Sequence, residues 1–144
     1  MLRENSTVSE RSPLRNKSFS LALRVVKLYQ YLILEKKEYV LSKQLLRSGT
    51  NPGAMIRECQ NAESAADFIH KLSIALKETN ETEYWLELLH QAGFLNETEY
   101  KSINADTVEV GKMITSSIKT KKKNLTIKVL SIIGLISSVM YFFG

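Results

Sequence analysis

The amino-acid sequence predicts an all-α protein, an up-and-down four-helix bundle whose second helix is kinked or broken near Pro52. Apolar residues recur at the three- and four-residue spacing of an α-helix in four long segments, and no segment shows the alternation of a strand. The joins between these segments are short, and 144 residues suffice for one domain with a substantial core. An additional hydrophobic helix is predicted at the C-terminus.

The first helix is predicted over residues 17–37. Its polar side chains form one narrow stripe, and the rest of its circumference is apolar. A helix that is apolar on two sides usually packs on two sides. We therefore expect this helix to be buried inside the subunit and also between the subunits of a homo-oligomer.

The second helix is predicted over about residues 40–61 and contains the stretch SGTNPG at 48–53. An interior proline costs a helix about 3 kcal/mol, because it lacks an N–H and its ring clashes with a preceding carbonyl. The residue before a proline is also pushed away from helical geometry. The sequence therefore predicts a kink, or a break at which Thr50 or Asn51 caps a new helix that begins with Pro52.

The third helix is predicted over about residues 64–91, followed by Gly93 in the position that ends a helix. The fourth begins at Asn96, which caps an acidic first turn, and runs to about Lys119. Their predicted core residues are Ala65, Phe68, Leu72, Ala75, Leu76, Thr79, Leu86 and Leu89, then Tyr100, Ile103, Val108, Val110, Met113, Ile114 and Ile118.

The stretch QLLRSGTNPGAMIRE, together with AADFIHKLSIALKETNETEYWLELLHQAGFL, resembles the bacterial four helix bundle protein family. That family includes proteins encoded in intervening sequences of 23S rRNA genes, and it is similar to the accessory variability proteins of diversity-generating retroelements. The resemblance extends over about residues 17–119. It implies a bundle that assembles into a ring, a pentamer, and in the retroelement branch it implies binding to a reverse transcriptase and to RNA or DNA.

Two positions depart from the family, whose members usually carry an aliphatic residue at Pro52 and an asparagine at Met55. Small residues in the same stretch are expected to let a neighbouring helix approach closely. They are Ser48, Gly49, Gly53 and Ala54.

The net charge of +5 is unevenly distributed along the chain. Residues 1–37 hold eight Lys and Arg against three Asp and Glu, residues 102–124 hold five against two, and residues 64–101 hold three against seven. Basic residues of the first and fourth helices, neighbours in such a bundle, are predicted to bind nucleic-acid phosphates without reading sequence. They are Arg24, Lys27, Lys36, Lys37, Lys112, Lys119, Lys121, Lys122 and Lys123. The alternative is an ordinary solvated helix face.

The C-terminal segment LTIKVLSIIGLISSVMYFFG, residues 125–144, carries a single charge at Lys128. A helix of this length spans about 30 Å, the thickness of a bilayer core. With lysines directly before it, the segment predicts a tail anchor through 125–143 that holds the bundle on the cytoplasmic face of a membrane. The alternative is an amphipathic tail helix that lies on the ring or lines its centre.

The sequence divides the chain into three predicted parts. Residues 1–16 are expected to form a flexible basic arm, residues 17–120 the bundle, and residues 121–144 a basic linker with the hydrophobic helix.

No catalytic or metal-binding constellation is evident. Two carboxylate-x-x-His motifs, Asp67 to His70 and Glu87 to His90, are of the kind found in di-iron bundles. They stand about 30 Å apart on one helix, so they cannot share a metal pair. Cys59 lacks an activating partner and is expected to be a small buried side chain. No cofactor is predicted, and the protein is expected to be non-enzymatic.

Three further residues are assigned structural roles. Arg47 and Glu78 are expected to form an ion pair between the second and third helices, and Trp85 is expected to belong to the core. Two functions remain open: an oligomeric module that binds nucleic acid or a nucleoprotein, and a membrane-tethered structural or adaptor ring that binds a protein.

Overall fold

The structure, a computed structural model, describes residues 12–144. These residues form four α-helices and no strand: α1 (Pro13–Leu34), α2 (Leu41–Cys59), α3 (Ala65–Gln91) and α4 (Glu97–Phe143). Each helix packs against the next, and α4 also packs against α1. The α1–α4 interface is the smallest of the four helix–helix interfaces. The predicted four-helix bundle is confirmed.

The core lies along the bundle axis and receives side chains from every helix. Full burial of one leucine contributes about 1.5–3 kcal/mol, so this layer dominates the stability. Three threonines, Thr79, Thr82 and Thr107, are also fully buried, and each hydroxyl donates to the carbonyl four residues earlier. The fully buried aliphatic residues include Leu21, Val25, Leu32, Leu45, Leu72, Ala75, Leu86, Leu89, Val110 and Ile114.

Helix α1 begins four residues earlier than the sequence indicates, because Pro13 stands at its first position, where the missing N–H has no helical acceptor in any case. Residues 1–11 of the expected basic arm lie outside the described residues. The second apolar face of α1 remains exposed within the subunit, with Phe19 47%, Leu23 48% and Leu34 63% accessible. This is the face that we expect another subunit to cover.

Helix α2 passes through Pro52 without a break, so the predicted new helix with a cap at Thr50 or Asn51 does not form. The Thr50 hydroxyl instead donates to the Leu46 carbonyl at 2.8 Å, as in a helix interior. Pro52 is itself buried. Packing on both sides of the proline therefore outweighs its local cost of about 3 kcal/mol.

The join between α3 and α4 is as the sequence predicts. Gly93 has a φ of +84°, and its N–H donates to the His90 carbonyl at 3.0 Å, while the Phe94 N–H reaches Leu89 at 2.9 Å. Asn96 then caps α4, since its side chain accepts from the Glu99 N–H at 2.8 Å and the Glu99 carboxylate accepts from the Asn96 N–H at 2.9 Å.

Helix α4 does not end near Lys119. It is 47 residues long and continues without interruption to Phe143. The segment 121–124, expected to be a linker, is helical because it contains neither glycine nor proline and lysine is a good helix former. The hydrophobic segment is therefore a rigid extension of a bundle helix rather than a separate helix.

Candidate functional site: the basic side chains and the C-terminal helix

The predicted basic surface is divided between the two ends of the bundle. Lys36 and Lys37 lie in the α1–α2 loop, whereas Lys119 and Lys121–Lys123 lie where α4 leaves the bundle. Helix α1 has 22 residues, and at 1.5 Å per residue it separates these ends by about 33 Å. These two groups of lysines therefore do not form one compact site, and Arg24, Lys27 and Lys112 lie along α1 and α4 between them.

Arg24 is held in an ion pair and ties α1 to α4. Its guanidinium contacts the Asp106 carboxylate at 2.5 Å and donates to the Ser102 carbonyl and hydroxyl at 3.2 and 2.8 Å. Lys17, for which the sequence predicted no role, contacts Asp106 at 3.2 Å and Glu109 at 2.9 Å. Arg24 is thus a link between helices, and its charge is balanced within the subunit.

The electrostatics of this link are consistent with its geometry. Burial favours the neutral form of Asp106, yet hydrogen bonds from Arg24 and Lys17 hold the pKa of its carboxyl below the ordinary value. Hydrogen bonds to Glu109 and Asp106 raise the pKa of Lys17.

The other predicted lysines have different surroundings. Lys27 lines a groove between α1 and α4, and the Lys36 ammonium lies 5.9 Å from the centroid of the Tyr31 ring. Lys112, Lys119 and Lys123 are exposed, and their spacing of seven and four residues puts them on one face of α4. No acidic residue follows Glu109 in the sequence, but Glu83 of α3 lines one pocket with Lys112 and Lys119, and Glu109 lines another with Lys112.

Lys121 occupies a separate position at the end of the bundle. Its ammonium lies 4.9 Å from the centroid of the Phe68 ring on α3. A pocket of about 300 Å³ opens between α3 and α4 at this point, which no pattern in the sequence indicated. Its lining residues are Phe68, Ser116, Ser117, Thr120, Lys121 and Asn124.

Beyond Asn124 every residue of α4 is exposed within the subunit. Among the described residues, α4 is the one helix with a segment long and apolar enough to cross a membrane, and none of that segment is buried. The segment 125–143 is about 28 Å long at 1.5 Å per residue, against about 30 Å for a bilayer core.

The predicted pair between Arg47 and Glu78 is present, with Nη1 3.2 Å from Oε2. The Arg47 guanidinium also contacts Glu81, a contact that the sequence did not predict. Glu81 accepts in addition from the Trp85 indole N–H at 3.1 Å, and the hydrogen bonds from Trp85 and Arg47 lower the pKa of its carboxyl. Trp85 is partly buried and packs against the core.

The small residues of α2 have three different environments. Gly49 and Gly53 face α1, while Ser48 faces α3, with its hydroxyl oxygen 3.2 Å from that of Thr82. Ala54 is exposed, so no helix of the same subunit packs against it.

The carboxylate-x-x-His motifs have structural surroundings. Asp67 pairs with Lys71 at 2.8 Å, and the His90 ring stacks on Tyr100 at 4.6 Å. Within residues 12–144, no three His, Cys, Asp or Glu side chains are grouped as metal ligands. Cys59 is buried as expected, and burial raises the pKa of its thiol to about 11, which makes it a weak nucleophile at neutral pH.

Comparison with known proteins matches residues 10–116 to the family described as 23S rRNA-intervening sequence protein. A crystal structure of a protein of unknown function from the S23 ribosomal protein family of Bacteroides thetaiotaomicron has a TM-score of 0.73 at 55% sequence identity, and the match covers 74% of this chain and 98% of the other. No curated protein matches the chain. The family match ends at Ser116, so the lysines from Lys119 onward and the hydrophobic segment lie beyond it.

Proposed function

We propose that this chain, which belongs to the 23S rRNA-intervening sequence protein family, is a non-enzymatic helical bundle that its C-terminal segment 125–143 tethers to a membrane. The observation that carries the proposal is the continuity of α4 from the bundle core into an exposed apolar helix. Water is an unfavourable solvent for such a helix, and the bundle leaves it without a cover.

The energetics favour insertion. Removing a large apolar side chain from water contributes about 1.5–3 kcal/mol, and the segment carries many, among them Leu130, Leu135 and Met140. The backbone is fully helical, so its polar groups are satisfied in lipid. Lys128 opposes insertion by about 2.5–3.5 kcal/mol at a membrane centre, and by less here, because its ammonium can reach the interface.

The direction of insertion follows from charge. Lysines next to a spanning helix favour the cytoplasmic side, and Lys119 with Lys121–Lys123 stand directly before the segment. The bundle therefore lies at the inner face of the membrane. The exposed apolar face of α1 supports assembly into a ring, with a pentamer favoured by the family resemblance, that presents a surface to a protein partner.

Membrane fractionation tests the tether. The full chain is expected in the membrane pellet after a high-salt wash, whereas a chain ending at Asn124 is expected in the supernatant. A full-length Leu130→Lys/Leu135→Lys variant provides a matched control, since it keeps the tail but prevents its insertion. If the full chain remains in the supernatant, the tail belongs to the protein assembly and the proposal is overturned.

A second candidate function, nucleic-acid binding, is favoured by the basic face of Lys112, Lys119 and Lys123. These three side chains could contact phosphates without reading base sequence, and RNA or DNA bound in this way could bring a reverse transcriptase as a nucleoprotein partner. Binding of an arbitrary oligonucleotide should then weaken steeply with salt. Replacing the three lysines by glutamine should abolish binding, while Lys36→Gln/Lys37→Gln at the other end should not. Equal effects of the two variants would count against this candidate.

A further inference from the structure

We infer that the pocket at the base of the C-terminal helix binds the phosphate-bearing headgroup of an anionic phospholipid. The inference rests on the proposed membrane tether and adds a ligand to it. The pocket's volume of about 300 Å³ suits a small polar headgroup. Its lining combines one ammonium, three hydroxyls, one amide and an aromatic ring.

The position of the pocket along α4 matches the depth of lipid headgroups. Thr120 precedes the first residue of the hydrophobic segment, Leu125, by about 7.5 Å at 1.5 Å per residue. The polar layer on each side of a bilayer core is about 5–7.5 Å thick. When the segment spans the core, Lys121 and Asn124 therefore lie within the headgroup layer and Thr120 lies at its outer edge, and α4 fixes them there because it is continuous.

The charge of Lys121 is available for a phosphate. Across residues 12–144, no carboxylate forms an ion pair with Lys121, and its ammonium is held over the Phe68 ring. The acidic neighbour of that ring, Asp67, is already paired with Lys71 at 2.8 Å. An anion that enters the pocket thus meets one uncompensated positive charge.

The polar groups beside Lys121 are also available. The Thr120 hydroxyl and the Asn124 amide line the pocket, and in the described part of the chain neither side chain forms an intramolecular hydrogen bond. Both can donate to a phosphate oxygen, and such charge-assisted hydrogen bonds are stronger than neutral ones. The Ser117 hydroxyl is already used, because it donates to the Met113 carbonyl at 3.0 Å.

This site differs in a testable way from a diffuse basic collar, by which we mean lysines that attract anionic lipid by charge alone and without a defined binding pocket. A collar responds to the number of lysines near the membrane and not to their positions. The pocket instead distinguishes Lys121 from Lys122 and Lys123, which project from α4 about 100° and 200° further round the helix. It also makes binding depend on an uncharged side chain, Thr120.

The experiment is co-flotation of the full-length protein with vesicles of phosphatidylcholine alone and of phosphatidylcholine mixed with phosphatidylglycerol. Wild-type protein is expected to bind both and to prefer the anionic vesicles. Thr120→Val should lower that preference about tenfold, because a hydrogen bond to a charged group is lost. Thr126→Val, a matched change at a hydroxyl that donates to the Lys122 carbonyl, should leave it unchanged. Lys121→Gln should lower the preference more than Lys122→Gln does.

The possible outcomes distinguish failure of the headgroup site alone from failure of the tether. Binding to neutral and anionic vesicles alike keeps the tether and overturns the headgroup site. Equal effects of Lys121→Gln and Lys122→Gln, with none from Thr120→Val, indicate a diffuse collar and also overturn it. Absence of binding to either vesicle overturns the tether and the site together.

One competitor and one further binding measurement identify the source of the phosphate. Inorganic phosphate at constant ionic strength should reduce the preference for anionic vesicles only weakly, since the tail holds the pocket against a surface rich in headgroups. Complete loss of that preference would assign the pocket to a free phosphate compound. If Thr120→Val weakens oligonucleotide binding and leaves the vesicle preference intact, the pocket serves nucleic acid and the headgroup assignment is overturned.

Discussion

Gly49 of α2 lies so close to Val25 of α1 that no methyl group fits between them. A Cβ on Gly49 would stand 2.7 Å from Cγ2 and 2.8 Å from Cγ1 of Val25, which is itself fully buried. One turn later the contact is looser, because a Cβ on Gly53 would lie 3.5 Å from the Ser18 carbonyl oxygen. The two glycines of α2 are therefore not equivalent, although both face α1.

Gly49→Ala is expected to lower the free energy of unfolding by about 1–3 kcal/mol, because α1 must move to admit the methyl group. Gly53→Ala is the matched control and should leave stability unchanged or raise it by up to about 1 kcal/mol through helix propensity. Urea denaturation of the full chain in mild detergent measures both. Adding Val25→Ala should reduce the cost of Gly49→Ala, and equal costs in both backgrounds would refute the contact as its cause.

Pro52→Ala is expected to raise the free energy of unfolding by about 1 kcal/mol. Alanine restores the N–H and removes the ring clash, a gain of about 3 kcal/mol in a helix interior. The loss of two buried methylenes offsets about 1.6 kcal/mol of this gain. The same denaturation experiment measures the difference. A destabilised variant would mean that the ring packs better in its buried position than this balance assumes.

The sequence predicts the helices of this protein better than it predicts their interruptions. Periodicity, Gly93 and Asn96 are local signals, and they indicate the four helices of the bundle and the α3–α4 join correctly. Of the kink or break predicted at Pro52, the break does not form, because local propensity ignores packing on either side of the proline. The linker at 121–124 is wrong because lysines mark polarity without ending a helix.

The same limit applies to the basic residues. Arg24 is 82 residues from Asp106 in the chain, and helical spacing alone does not pair them. A signal was present, since Lys17 and Arg24 share one face of α1, and Asp106 and Glu109 share one face of α4. The pocket near Lys121 had no such signal, because it depends on how Phe68 of α3 meets the end of the bundle.

Glu38 provides a pH-dependent test of the α2 N-terminus. It is only 8% exposed, and its carboxylate accepts the N–H groups of Val40, Leu41 and Ser42 at 3.1, 2.9 and 2.7 Å. Burial acts to raise the pKa of this carboxyl, but the hydrogen bonds from the three N–H groups leave it below its ordinary value. A lowered pKa in the folded state means that the stabilisation is present above the unfolded pKa and is lost as the pH falls through the folded one.

Glu38→Gln is accordingly expected to lower the free energy of unfolding by about 1–2 kcal/mol at pH 7. The difference from wild type should shrink as the pH falls below the ordinary glutamate pKa of about 4.3, and it should disappear only when the pH has passed through the lowered pKa of the folded state. Denaturation at a series of pH values measures this, with Glu35→Gln on the exposed part of the same loop as the control. A difference that does not vary with pH would exclude ionisation of Glu38 as its source.

The ion pair between Arg47 and Glu78 is expected to have a coupling energy of about 0.3–1 kcal/mol, small because the Arg47 side chain is 52% exposed. The double-mutant cycle uses Arg47→Met and Glu78→Gln. Coupling should rise when the cycle is repeated with Glu81→Gln, since Arg47 can then pair with Glu78 alone. The coupling energy should fall in high salt.

The exposed pair of Lys101 and Glu97, within α4, is the control and should couple more weakly. A value near zero at low salt, in both backgrounds, would show that the contact does not stabilise the α2–α3 seam.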